Sequence, residues 1–240
     1  MRIIRDERRV KLLSSVGRYA TLAGLAVLLI GLVISFVRPT WMLALVVSMM
    51  LGFILSVVGG YFADRYAGPL AHHKALAEVL KGLDYRHTLI QYLLPADHVL
   101  LEPGGCTCFV VKTQGGEVRY ENEEKRRWTH KERGKFFRQL VGQDALGSPD
   151  LDVQEEVAKL ERYLGEEMER GKEVPVRGAV VFVNEDVQVE AKEAPVPVFY
   201  RKKVKDWLRG SGELKALPEA VQEDLRAALG VTAEGASEEL

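Results

Sequence analysis

A mixed α/β (α+β) domain behind a two-helix transmembrane hairpin is the fold class that these 240 residues predict. Two long uncharged runs near the start are the first reason: 19 uncharged residues separate Arg18 from Arg38, and 25 more separate Arg38 from Asp64. The second is the alternation, after residue 70, of short β-rich runs with longer amphipathic helical stretches. The third is charge segregation. Residues 1–90 carry 11 Lys/Arg and 5 Asp/Glu, a net of +6, whereas residues 91–240 carry 22 and 29, a net of −7. The whole-chain net charge of −1 hides this division. A fully soluble protein is excluded, because about 20 consecutive apolar residues suffice to cross a bilayer. A disulfide scaffold is excluded too, since Cys106 and Cys108 are the only cysteines. So is disorder across most of the chain.

Residues 1–18 form a basic N-terminus, and residues 19–63 the hairpin. The first run, Tyr19 to Val37, would be about 28 Å long as a helix, and the second, Trp41 to Ala63, about 34 Å. Arg38-Pro39-Thr40 joins them, and Pro39 disfavours helix at Arg38, so the chain reverses there. The apolar run is too long for a signal peptide and a second span follows at once. Arg2, Arg5, Arg8, Arg9, Lys11 and Arg18 precede the first span, and Arg65, Lys74 and Lys81 follow the second. The positive-inside bias therefore puts both termini in the cytoplasm and the protein in the plasma membrane as a multi-pass protein. Membrane lipid is the first expected partner.

Small residues recur every four positions on the second span (Ser48, Gly52, Ser56, Gly60) and every seven on the first (Gly17, Gly24, Gly31). Such rows allow close helix packing, between the two spans or between copies in a homodimer. No ionisable residue lies within either run, which removes support for a transporter, a proton relay or an ion channel.

The domain proper is expected over residues 70–209. Leu76, Leu80 and Leu83 mark a helix, followed by strand-like runs His87–Leu94, Asp97–Glu102, Cys106–Lys112 and Glu117–Asn122. Ser148 to about Arg170 reads as a long helix with Val153, Val157, Leu160 and Leu164 on one stripe, capped by Ser148 or Asp150. Val174–Val183 is apolar enough for a central strand covered on both faces. Residues 210–240, with 7 acids and 2 bases, read as an acidic, flexible tail in which Pro218–Leu229 forms a transient helix.

Several short motifs resemble one family. Asp97-His98 opens a strand, Pro103-Gly104-Gly105 makes a turn, Lys112 ends the next strand, and Gly116-Glu117-Val118 and Trp128 follow. Pro149 and Gln154 recur at the head of the next helix. This order and spacing is similar to the nuclease-related domain, or NERD, family, over roughly residues 70–209. The resemblance implies a restriction-endonuclease-like fold. There an Asp and the Glu of a Glu-x-Lys strand hold a divalent metal, and the Lys assists phosphodiester cleavage. Mg²⁺ prefers oxygen ligands, and alternate residues of a strand share a face, so Glu-x-Lys sets ligand and cation side by side. In this chain the Glu position is Val110, and the same-face set is Cys106, Cys108, Val110 and Lys112. His73 stands where the family often has a further Glu. The resemblance thus makes Asp97 and Lys112 remnants of a catalytic site, with Asp97 the metal ligand if the domain is active. Glu117 is the candidate substitute carboxylate. Glu102 has the opposite strand parity from Asp97 and should point away.

Two further constellations have readings of their own. Cys106-x-Cys108 lacks the spacing and the second pair of a zinc site and reads as two half-buried reduced thiols. Residues 125–138 hold seven Lys/Arg with Trp128, Phe136 and Phe137 interleaved. Lys125, Arg126, Arg127, Lys131 and Arg133 are the candidate phosphate grips for nucleic acid, or for anionic lipid headgroups, and a solvated loop is the plain alternative. The function expected from all this is a membrane-anchored protein with a nuclease-like domain, impaired by Val110 and acting as a nucleic-acid or protein scaffold without a cofactor. An active Mg²⁺-dependent nuclease using a relocated carboxylate is the alternative.

Overall fold

Glu7–Val37 (α1) and Met42–Tyr66 (α2) are the two long helices of the computed structural model, which describes residues 1–121, 127–132, 145–168, 173–210 and 212–231. Both are long and apolar enough to cross a membrane, and only 11% of each apolar window is buried within the chain, so neither is the core helix of a soluble domain. At 31 residues, α1 starts well before the first uncharged run. The loss of charge at Tyr19 marks where lipid would begin, and the helix continues below it as three basic turns. Asp6 caps it, its Oδ1 accepting from the Arg9 N–H at 2.8 Å.

The two small-residue rows face each other. Gly17, Gly24 and Gly31 are buried on α1, as are Gly52 and Gly59 on α2. A Cβ on Gly24 would stand 2.9 Å from the Ser56 nitrogen, and one on Gly17 would stand 2.7 Å from that of Ala63. A Cβ on Gly52 would run into Leu28, and one on Gly59 into Thr21. Close approach of the two helices within one chain thus uses both rows, with Gly59 rather than Gly60 in the seam.

Arg2–Arg5 (β1) is a strand that the sequence reading does not anticipate within the basic N-terminus. It pairs in parallel with Thr88–Gln91 (β2), from Arg2 opposite Thr88 to Arg5 opposite Gln91. Next come His72–Leu80 (α3), His98–Glu102 (β3), Gly105–Lys112 (β4), Gly116–Glu121 (β5) and Arg127–Lys131 (β6). Pro149–Glu167 (α4), Val176–Phe182 (β7), Val187–Glu190 (β8), Val198–Tyr200 (β9), Val204–Arg209 (α5) and Glu219–Ala228 (α6) complete the chain. One mixed sheet runs β1-β2-β3-β4-β7-β9, and a second, smaller one runs β6-β5-β8. β7 lies between β4 and β9, parallel to both, which its continuous apolar run anticipates.

Helices cover both faces of the large sheet. Leu76 and Leu80 of α3 and Val204 of α5 meet Leu100, Phe109 and Val181 on one face. Leu160 and Leu164 of α4 meet Val99, Leu101 and Cys108 on the other. Gly178 on β7 admits α4 closely, since a Cβ there would strike Val153. Pro149 stands in the first turn of α4 with Asp150 and Asp152, both suited to a helix N-terminus. Ser148 occupies the cap position without a side-chain hydrogen bond there.

The expected acidic tail is corrected as far as residue 231. Leu217 N–H donates to Pro103 O at 3.0 Å, and Val221, Leu225, Leu229 and Val231 enter the same core as Leu160 and Leu164. Glu219, Glu223 and Asp224 stay exposed. The acids form the wet face of an amphipathic helix, and composition alone does not separate that from a loose tail.

Candidate functional site

A cavity of about 390 Å³ opens where the starts of β3 and α4 meet the end of β4. Val99 pairs with Cys108 across β3 and β4, so two more steps along this antiparallel register place Asp97 opposite Val110. Asp97, Val110 and Lys112 all line the cavity, joined by Asp152 and Glu156 from α4 and by Arg65 from the end of α2. Asp97 shares the strand parity of Val99 and Leu101, which face α4.

Among the described residues, each charge lining this cavity has a partner. Arg65 Nη2 lies 3.2 Å from Asp97 Oδ2, and Arg9 Nη2 lies 3.8 Å from Oδ1. The Asp97 backbone N–H donates to Glu156 Oε2 at 2.7 Å. Lys112 Nζ donates to Asp152 Oδ2 at 2.7 Å and to Leu146 O at 3.0 Å. Lys159 donates to Glu156 Oε1 at 2.8 Å. His72 and His98 stand at the back with ring centroids 6.4 Å apart. Burial drives the His98 pKa down to about 3, against the pull of Asp97 and with help from Arg65. Burial and then Arg65 push His72 well below the ordinary range. Both rings are neutral at pH 7.

Residues 69–183 match the family model of the nuclease-related domain, NERD. This segment is a nuclease-related domain. No curated protein and no solved structure matches the chain significantly. A divalent metal would need several oxygen ligands converging on one point. In this NERD domain Asp97 is turned to two guanidinium groups, and an apolar Val110 stands across from it. Among the described residues no three His, Cys, Asp or Glu side chains come together to hold a metal ion. The residues present do not fit the metal that the resemblance implies.

The other residues singled out from sequence lie elsewhere. Glu117 is on β5 in the small sheet, ion-paired with Arg119, and does not line the cavity. Glu102 points to the opposite face, as its parity requires. It is bound there by Arg177 at 3.1 Å through both carboxylate oxygens and by the Thr107 hydroxyl, and Arg177 lies over the Trp207 ring at 4.2 Å. His73, at the family's Glu position, sits beside Tyr92, and its neighbour His72 reaches the cavity instead. Cys106 and Cys108 are free but fully buried, which corrects the half-buried expectation. Burial pushes the Cys106 thiol up to about 12, so it stays protonated and inert.

Lys125, Arg126 and Arg133 of the basic run lie outside the described residues. Arg127 and Lys131 do not sit in a loop but on β6, in register with Glu121 and Glu117. Arg127 is 3.8 Å from Glu121, and Arg119 also meets Glu190 at 3.2 Å. The described part of this surface is a cross-strand ladder of alternating charge. Trp128 is committed to structure: its Nε1 donates to Asp150 Oδ1 at 2.7 Å, and its ring meets Tyr120 edge-on at 5.2 Å.

Sequence reasoning missed Arg9, Arg65, Asp152 and Glu156. The two acids carry a weak signal, since a spacing of four places them on one helix face beside the apolar stripe. The arginines carry none, because the positive-inside bias already accounts for them.

Proposed function

We propose that this protein is a membrane-anchored NERD module that binds a partner and does not hydrolyse phosphodiesters. Its N-terminus and its domain lie on the cytoplasmic side. The observation that carries the reading is Val110 opposite an Asp97 already ion-paired with Arg65. A nuclease site of this kind needs a metal-bound phosphate and an activated water, and valine supplies neither ligand nor base. The basic residues flanking both spans, and the pairing of β1 with β2, support an arrangement in which the N-terminus and the domain share one side.

The test uses the full chain in detergent micelles. Wild type is expected to show weak Mn²⁺ affinity and no Mg²⁺-dependent DNA cleavage above background. Val110→Glu is expected to tighten Mn²⁺ binding about tenfold or more, equivalent to about 1.4 kcal/mol. Metal-dependent cleavage by wild type, lost on Asp97→Ala, would overturn the reading. Asp152 and Glu156 favour that second possibility, because α4 directs two carboxylates at the cavity wall. Cleavage lost equally in Asp152→Asn or Glu156→Gln would make them the relocated ligands.

The partner is a protein or a nucleic acid. A phosphate-gripping surface should lose affinity, and part of its salt dependence, in an Arg126→Ala, Arg127→Ala, Lys131→Ala triple variant. The compensated ladder on β5 and β6 favours a protein partner, so unchanged and weak DNA binding is the expected result.

A further inference from the structure

The cations paired with Asp97 in this cavity come from the helical hairpin. Arg65 belongs to the last turn of α2 and Arg9 to the first turn of α1, and both reach Asp97. The Arg65 and Asp97 side chains are 27% and 25% exposed, so the pair is largely withdrawn from water, where charges attract more strongly than in bulk. A guanidinium is a permanent cation with several donors, suited to holding a carboxylate without acting as a Lewis acid.

The surrounding contacts join the same two parts of the chain. Arg9 Nη1 donates to Tyr92 O at 3.4 Å, and Arg5 Nε donates to Gln91 Oε1 at 2.9 Å. The Thr113 hydroxyl donates to Asp64 Oδ2 at 3.3 Å. Tyr66 packs on Tyr92 with ring centroids 5.3 Å apart, and Val10 completes that cluster. Tyr92 is held at φ 62°, a left-handed conformation uncommon for a side chain of its size, at the turn between β2 and Asp97.

We propose that Arg65, assisted by Arg9, is the resident cation of the NERD cavity. It neutralises Asp97 where a divalent metal would otherwise do so, and it locks the domain to the cytoplasmic ends of α1 and α2. This deepens the non-hydrolytic reading and rests on it for the site's lost chemistry, while the lock has a test of its own. Its ligand class is a guanidinium supplied by the same chain, so the joint should be indifferent to chelators and to divalent ions.

Hydrogen exchange of the full chain in nanodiscs, read at residues 2–5 and 88–92, tests the lock. Arg65→Asp and Asp97→Arg each set like charges together and should speed exchange there about fivefold or more. The double swap should return it toward wild type. The milder Arg65→Gln should show a smaller increase with the fold intact. In a Val110→Glu background, Arg65→Gln should also raise Mn²⁺ affinity about tenfold, read by electron paramagnetic resonance of free Mn²⁺. Wild-type exchange in both single variants, or a double swap no better than either, overturns the lock. Unchanged Mn²⁺ affinity overturns the competition between guanidinium and metal. DNA cleavage by wild type, by contrast, would overturn the non-hydrolytic reading and the assignment of Arg65 as the cavity's cation, and would leave the lock to the exchange data.

Discussion

His73 is 1% exposed, and burial, with Arg5 and Lys74 adding to it, lowers its pKa to about 4. In the unfolded chain the ring titrates near 6.5. The neutral folded ring therefore contributes stability that is complete above about pH 6.5 and is lost as pH falls toward 4. His98, lowered to about 3, acts in the same direction. Melting of the full chain in detergent should drop between pH 6.5 and 5, above the usual carboxylate range. The slope is about 1.4 kcal/mol per pH unit for each proton taken up on unfolding. His73→Gln should remove one proton's share of that slope, and an unchanged slope would show that His73 titrates in the folded state. Val110 is the other decisive residue. The proposed non-hydrolytic reading turns on it, since valine offers no metal ligand yet keeps strand propensity.

Among elements, α6 departs furthest from its sequence reading. Leu225 is fully buried against Leu160 and Leu164, so Leu225→Ala should cost about 2–5 kcal/mol in urea denaturation. A loose tail would lose less than about 0.5 kcal/mol, typical of surface positions. The seam of α1 and α2 makes a second test. A side chain at Gly24 meets the backbone of Gly52 and Ser56, which cannot yield as a flexible side chain would. Gly24→Leu should therefore prise the hairpin apart, seen as a longer distance between spin labels at the exposed positions Leu25 and Ile54. An unchanged distance would show that the seam can slide to accommodate it. β6 teaches a different lesson. Arg127–Lys131 sets Arg127, Thr129 and Lys131 on one face and Trp128 and His130 on the other, yet its density of basic charge leaves a solvated loop open as a reading until β5 is seen beside it.

For the whole molecule, the hairpin and the domain behave as one joined body rather than as an anchor on a leash. β1 contributes a strand to the sheet, and α1 and α2 contribute arginines to the cavity. Both ends of the chain should therefore report from the same side of the membrane. A reporter that matures only in an oxidising compartment should stay silent when fused before Met1 or after Leu240. A strong signal from either fusion would overturn the cytoplasmic assignment. Deleting residues 2–5 should destabilise the domain as well as its anchoring, because an edge of β2 then loses its partner.

The sequence by itself determined what depends on local pattern. Uncharged length placed the two membrane-competent helices, short strand-like runs bounded by glycine-containing turns placed β3 and β4, and strand parity set Val110 beside Lys112 and turned Glu102 away. Those properties need no knowledge of neighbours, since they follow from chain geometry alone. Only the tertiary structure decided the cavity's charge balance, because Arg9, Arg65, Asp97 and Glu156 lie far apart in the chain and meet through packing. It likewise decided that the acidic segment up to residue 231 folds, since an amphipathic helix is stable only when something covers its apolar face. The same physics explains β1: four residues of weak strand pattern hold that conformation because β2 offers a free edge.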